Sequence, residues 1–148
     1  MSLNIIRADL EHVEWIVPLF DAYRVFYKQD SDIKNARRFL EHRVKNGESV
    51  IFLAMDGDSA LGFVQMYPSF SSVNLRELWI LNDLFVVPGA RGQGVGAALL
   101  EHARQFARTI GVRTLVLQTA NDNEPAQTLY EKLGWKRESG FVTYYLNV

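Results

Sequence analysis

The chain has 148 residues, a formal net charge of −1, no cysteine, 48% apolar and 22% charged residues, which is the composition of an ordinary globular domain with one core. The charge balance supplies no strong field for nucleic acid or an anionic membrane, and the lack of cysteine excludes disulfides, thiolate metal sites and a cysteine acyl-enzyme within this chain. There is no basic leader followed by an apolar run, and no stretch of about 18 apolar residues, so we expect a cytoplasmic protein with no membrane, nucleic-acid or metal partner, built as one domain over 1–148.

Residues 5–8 read as a short first strand. Asp9 is placed to cap a helix over 10–26, where Val13, Ile16, Val17, Phe20, Tyr23 and Tyr27 recur at helical spacing. Pro18 should kink that helix or end it early. A second helix should begin after Ser31 or Asp32, carry Ile33, Ala36, Phe39, Leu40 and Val44 on one side, and stop at Asn46-Gly47. The loop between the two helices, with Tyr23 and Tyr27, either flanks a substrate or is surface loop beside core aromatics.

Residues 49–55 and 60–67 are β-rich runs on either side of Asp56-Gly57-Asp58, a hairpin turn because Gly57 can take a positive φ. A third run, 76–87, is apolar on both sides, as a strand covered by helices on both faces must be. Its apolar character is interrupted by Asn82 and Asp83; strand alternation predicts that only one of them looks into any one cleft. After 87 come the turn Pro88-Gly89-Ala90-Arg91-Gly92-Gln93-Gly94-Val95-Gly96 and a helix carrying Val95, Ala98, Leu99, Ala103, Phe106, Ala107 and Ile110 at 3/4 spacing up to Gly111. A strand over 114–119 follows, giving a parallel crossover whose helix starts at the carboxyl end of the preceding strand. Asn123 and Pro125 open a last helix over 124–133 that stops at Gly134. Residues 135–138 and 141–147 should close the sheet as a hairpin across Ser139-Gly140. The sum is an α/β fold: a mixed, mostly antiparallel sheet of about seven strands flanked by about four helices.

The glycine-studded turn suits an anion. Glycines free the backbone amides of neighbouring side chains, the helix that follows begins with unpaired N–H donors, and Arg91 adds a planar cation. A Walker A loop would need Gly-Lys-Ser/Thr, but Gly96 is followed by Ala97-Ala98. Gly92, Gly94 and Ala97 do satisfy the dinucleotide fingerprint G-x-G-x-x-A, with Asp122 as the ribose acid, but only 26 residues follow Asp122, too few for the remaining units of such a sheet. A glycine-rich helix entry that serves packing alone is the plain alternative.

Arg91, Gly94 and Gly96 also fit R-x-x-G-x-G, and this turn resembles the acetyl-CoA pyrophosphate motif of the GNAT superfamily of N-acetyltransferases. Residues 123–135 resemble that family's second signature, N-x-x-A-x-x-L-Y-x-x-x-G-[FW], through Asn123, Ala126, Leu129, Tyr130, Gly134 and Trp135. The resemblance covers about 78–148. Residues 81–86 further resemble the yeast histone and polyamine acetyltransferase branch.

The resemblance implies that Leu84, Phe85 and Val86 pair with pantetheine, that Arg91, Gly92, Gln93, Gly94, Val95 and Gly96, with Ala97, hold the pyrophosphate, and that Asn123 contacts the cofactor arm or simply caps its helix. It implies that Tyr130 is the general acid. Its unperturbed pKa near 10 suits protonation of a departing thiolate; a core tyrosine is the bland alternative. The family's strand commonly presents a Glu where this sequence has Asn82, which cannot accept a proton. Asp83, whose apolar surroundings should raise its pKa, is then the candidate base, with Glu77 a second candidate and a purely structural carboxylate the alternative. Tyr23, Tyr27, Asn82 and Asp83 are the candidate amine-binding residues. The expected reaction is direct acetyl transfer from acetyl-CoA, as co-substrate, to an amine; a non-catalytic CoA sensor and a Rossmann-type NAD-binding protein are the alternatives. The family commonly forms homodimers, for which Tyr144-Tyr145 on the final strand is a candidate surface.

Overall fold

The computed structural model describes residues 1–148 as two compact units, Met1–Leu117 and Gln118–Val148. The first holds a five-stranded sheet in the order β1-β2-β3-β4-β5: β1 Leu3–Arg7, β2 Val50–Asp56, β3 Ser59–Ser71, β4 Arg76–Val86 and β5 Leu115–Val116. The first four pair antiparallel, and β5 runs parallel to β4.

Helices α1 Val13–Phe26 and α2 Ile33–Lys45 pack on one face of that sheet. Their residues Val13, Ile16, Val17, Phe20, Ala36 and Leu40 meet Ile51, Leu53, Met55, Phe63 and Phe85 in one buried cluster. The alternate residue Phe52 points the other way, to helix α3 Val95–Thr109, where its ring lies 5.9 Å from Phe106; Trp79 meets the same ring at 5.3 Å. The period-2 alternation of β2 thus fills both faces, which is why the strand has almost no polar residue.

The helix ends follow local chemistry. Asp9 takes part in a capping box with His12, but the first turn, Leu10–His12, is a 3-10 turn and the α-helix proper begins at Val13. Pro18 does not end α1: it removes one amide from the ladder while the turns around it bury Ile16, Val17, Leu19 and Phe20. Asp32 caps α2 through Asn35 N–H. Buried Asp21 fastens the intervening loop to α1, accepting from Ser31 Oγ at 2.6 Å and from the Asp32 amide at 2.7 Å.

The second unit contains α4 Glu124–Lys132, capped by Asn123 Oδ1, which accepts from the Ala126 amide at 3.3 Å, and stopped at Leu133. The closing hairpin expected over 135–138 and 141–147 does not form, so the sheet has five strands and not about seven. At the expected turn, the Gly140 amide donates to Glu138 Oε1 at 2.7 Å, a side-chain bond local to the turn. Phe141, Val142, Tyr144, Tyr145 and Leu146 are exposed. The strand expected over 114–119 is confined to Leu115–Val116.

Candidate active site

The end of β4 and the turn after it bring together the residues expected to hold a diphosphate. Pro88–Ala90 forms a 3-10 turn, Arg91 is extended, and Gly92 and Gly94 take φ values of 76° and 84°. Those left-handed conformations are the reason for glycine at 92 and 94. Gly96, by contrast, is the second residue of α3 and needs no such freedom. Gly94 caps α3 with no side chain, and the first bond of the helix runs from the Ala98 amide to the Gly94 carbonyl at 3.0 Å. The amides of Val95, Gly96 and Ala97 therefore precede the ladder and converge where the helix dipole is positive. The Arg91 guanidinium lies 5.6 Å from the Phe85 ring centroid, and its Nε donates to the Val86 carbonyl at 2.9 Å. Gln93 folds back, its Nε2 donating to the Gly89 carbonyl at 3.2 Å.

On its inner edge β4 pairs Leu84, Phe85 and Val86 with Val64, Phe63 and Gly62. On its outer edge β5 pairs only with Trp79 and Ile80. No strand continues along that edge past Ile80, so the last residues of β4 offer backbone groups beside the glycine turn.

The second cluster surrounds Asp83. The β3–β4 register runs Gln65↔Asp83 and then Met66↔Leu81, so Asn82 is an inserted bulge residue. The bulge overturns the expectation that Asn82 and Asp83 face opposite ways: Asn82 Nδ2 donates to Asp83 Oδ1 at 2.9 Å. Gln65 Nε2 donates to Asp83 Oδ2 at 2.6 Å, and the Tyr23 hydroxyl donates to the Asn82 carbonyl at 3.3 Å. Tyr23 packs edge-on against Tyr27, Phe63 and Phe85, with centroids 5.1, 6.0 and 6.3 Å away. It serves core and cleft together, whereas Tyr27 is 41% exposed.

Asp83 is only 4% exposed. Burial raises its pKa above the ordinary carboxyl value, and the bonds from Gln65, Asn82 and Tyr23 pull it part of the way back. Burial, followed by the Asp83 charge, raises the phenols of Tyr27 and Tyr67. A buried carboxylate with raised basicity and a wall of tyrosines can receive a proton from a cationic amine. Glu77, the second candidate base, instead accepts from the Trp79 indole at 2.8 Å.

Sequence reasoning missed Gln65 and Tyr67 at this site. The available signal was a lone amide in the apolar run Leu61-Gly62-Phe63-Val64-Gln65-Met66. Tyr130 and Asn123 belong to the second unit, where Asn123 serves as the cap and the Tyr130 ring lies 6.0 Å from Trp135.

Comparison with known proteins bears on the same residues. Residues 16–135 match the family described as the acetyltransferase (GNAT) family. An uncharacterised N-acetyltransferase, YhfO, of Bacillus subtilis (strain 168) is 47% identical over 99% of this chain and 98% of its own. The D-amino-acid N-acetyltransferase HPA3 of Saccharomyces cerevisiae is 33% identical over 68% of this chain and 62% of its own. A crystal structure of a probable acetyltransferase superposes with a TM-score of 0.90 at 44% identity, covering 98% of this chain and 97% of that one. No helix is long and apolar enough to cross a membrane.

Proposed function

Since the chain belongs to the GNAT family of acetyltransferases, we propose that residues 1–148 form one N-acetyltransferase domain that moves the acetyl group of acetyl-CoA directly to a primary amine. The observation that carries this reading is the turn after β4. Two left-handed glycines, three helix-start amides and a cation stand beside an open strand edge, and a diphosphate on an extended arm matches that set. Acetyl-CoA, when bound, supplies an electrophilic thioester carbonyl.

The chain's own residues do the rest. Leu84, Phe85 and Val86 bind the pantetheine arm through their backbone, and the turn from Arg91 to Ala97 binds the diphosphate. Tyr23, Tyr27 and Asn82 line the amine site. Asp83 takes the proton that the ammonium must lose, at one of its carboxylate oxygens. Tyr130 gives its phenolic proton to the departing sulfur, and Asn123 steadies the start of the helix that carries it. The buried carboxylate supports a cationic acceptor such as a polyamine or a lysine side chain.

The test is a panel of amines with acetyl-CoA, read by release of free thiol, alongside melting curves with CoA and NAD. Turnover on an amine and a rise in Tm with CoA are expected. A Tm raised by NAD and not by CoA overturns the reading; a CoA shift with no turnover on any amine makes the protein a CoA sensor.

A further inference from the structure

Gln65 lies in the middle of β3 with no exposed surface, between the fully buried Val64 and Met66. A glutamine there buries an amide where methionine, of similar shape, would bury nothing polar. Its nitrogen is used on Asp83 Oδ2, while its Oε1 has no hydrogen-bond partner. Turning the amide over would set that oxygen against the carboxylate, acceptor against acceptor. The orientation that gives Asp83 a donor is therefore the one that strands the oxygen. The register makes the contact obligatory, because the bulge at Asn82 brings Asp83 directly opposite Gln65.

We propose that Gln65 is a positioning residue for acetyl transfer, its amide fixing the Asp83 carboxylate in place and in the ionised form that accepts the amine proton. The inference rests on the reading of Asp83 as the base. Around Asp83 stand Tyr23 from α1 and Tyr27 just past its end, Gln65 and Tyr67 from β3, and Asn82 from its own strand, with Arg43 and Glu48 acting on Tyr67. Asn82 is exposed, so water can replace its bond; nothing can replace that of Gln65. The hydrogen bond from Gln65 lowers the carboxyl pKa against the upward push of burial.

The test is the pH profile of kcat at saturating acetyl-CoA and amine for the wild type, Gln65→Met and Asp83→Asn, with a carbon-13 titration of the Asp83 carboxyl. In Gln65→Met the acid limb and the carboxyl titration should both move to higher pH. On the acid limb the activity should fall roughly tenfold, the equilibrium worth of one charge-assisted hydrogen bond, and recover as pH rises, with KM for acetyl-CoA unchanged. Gln65→Asn, which keeps an amide but withdraws it by one methylene, should shift in the same direction and serves if the methionine variant does not fold. A loss of kcat uniform across pH, with the carboxyl titration unmoved, overturns the proposal and leaves Gln65 a packing residue. Should Asp83→Asn retain the acid limb, the base assignment falls and the proposal with it. Should Asp83→Asn abolish the limb while the Gln65 variants leave it in place, only the role of Gln65 falls.

Discussion

Gly62 is the position where a single methyl group should be felt most. It pairs with Ala54 on one side and Val86 on the other, and a Cβ added there would stand 2.6 Å from the Phe85 carbonyl oxygen and 3.3 Å from two carbons of Val86. Ordinary contact begins at 3.4 Å, so β3 and β4 must part by about 0.8 Å, the difference of 3.4 and 2.6. The clash is with backbone inside a ladder bonded on both sides, and no rotamer can relieve it. Overpacking of this kind costs about 1–3 kcal/mol; at about 2–4 °C per kcal/mol for a chain of this size, Gly62→Ala should lower Tm by about 2–12 °C. The displaced carbonyl belongs to the strand end assigned to pantetheine, so the rise in Tm on adding CoA should shrink as well. Gly89→Ala is the control: its Cβ would meet nothing within 4 Å, and its φ is not positive, so it should stay within about 0.5 kcal/mol of the wild type. A Gly62→Ala protein that melts within about a degree of the wild type, or a Gly89→Ala protein that falls as far, refutes the reasoning.

Tyr130→Phe should lower kcat by about 10²- to 10⁴-fold while CoA affinity, measured by calorimetry, changes little; an unchanged kcat where chemistry limits turnover removes Tyr130 from the acid role. Arg91→Ala should weaken CoA binding about tenfold or more by deleting a charge-assisted partner of the diphosphate, and an unaltered Kd would contradict the placement of the phosphates. Asp83→Asn should trade activity for stability with a definite pH signature. The folded-state pKa of Asp83 is raised above the ordinary 3.8, so between the two values the native state holds more protons than the unfolded chain, and stability from this group falls as pH rises through that window. The variant should therefore gain in Tm over the wild type as pH rises and lose that gain below about pH 3.8; a Tm difference that is flat with pH contradicts a raised pKa.

The order of elements through α3 is legible because each carries its own period and its own stop signal: the 3/4 spacing from Val95 to Ala107, the caps at Asp9 and Asp32, the turn at Gly57. The glycine turn is legible for the same reason, since its conformation is written in residue type at 92 and 94. What could not be read is whatever depends on counting two strands against each other. Asn82 becomes a bulge only when the register of β3 is known, and the bulge alone makes neighbours of Asn82 and Asp83. Gln65 gains its meaning from that same pairing. The closing hairpin failed as an expectation because alternation and a Ser-Gly turn describe a strand's willingness to pair and do not supply its partner.

The single inserted residue at Asn82 also sets where this protein can be recombined with its relatives. Pairs from Ser71↔Arg76 to Met66↔Leu81 share one phase, and those from Gln65↔Asp83 to Gly62↔Val86 share another. A chimera that exchanges the hairpin tip beyond Met66 and Leu81 keeps the second phase whole. One whose crossover deletes Asn82 removes the bulge, leaving Gln65↔Asp83 and Met66↔Leu81 as successive pairs of a regular ladder, and takes from Asp83 the amide that bonds its Oδ1.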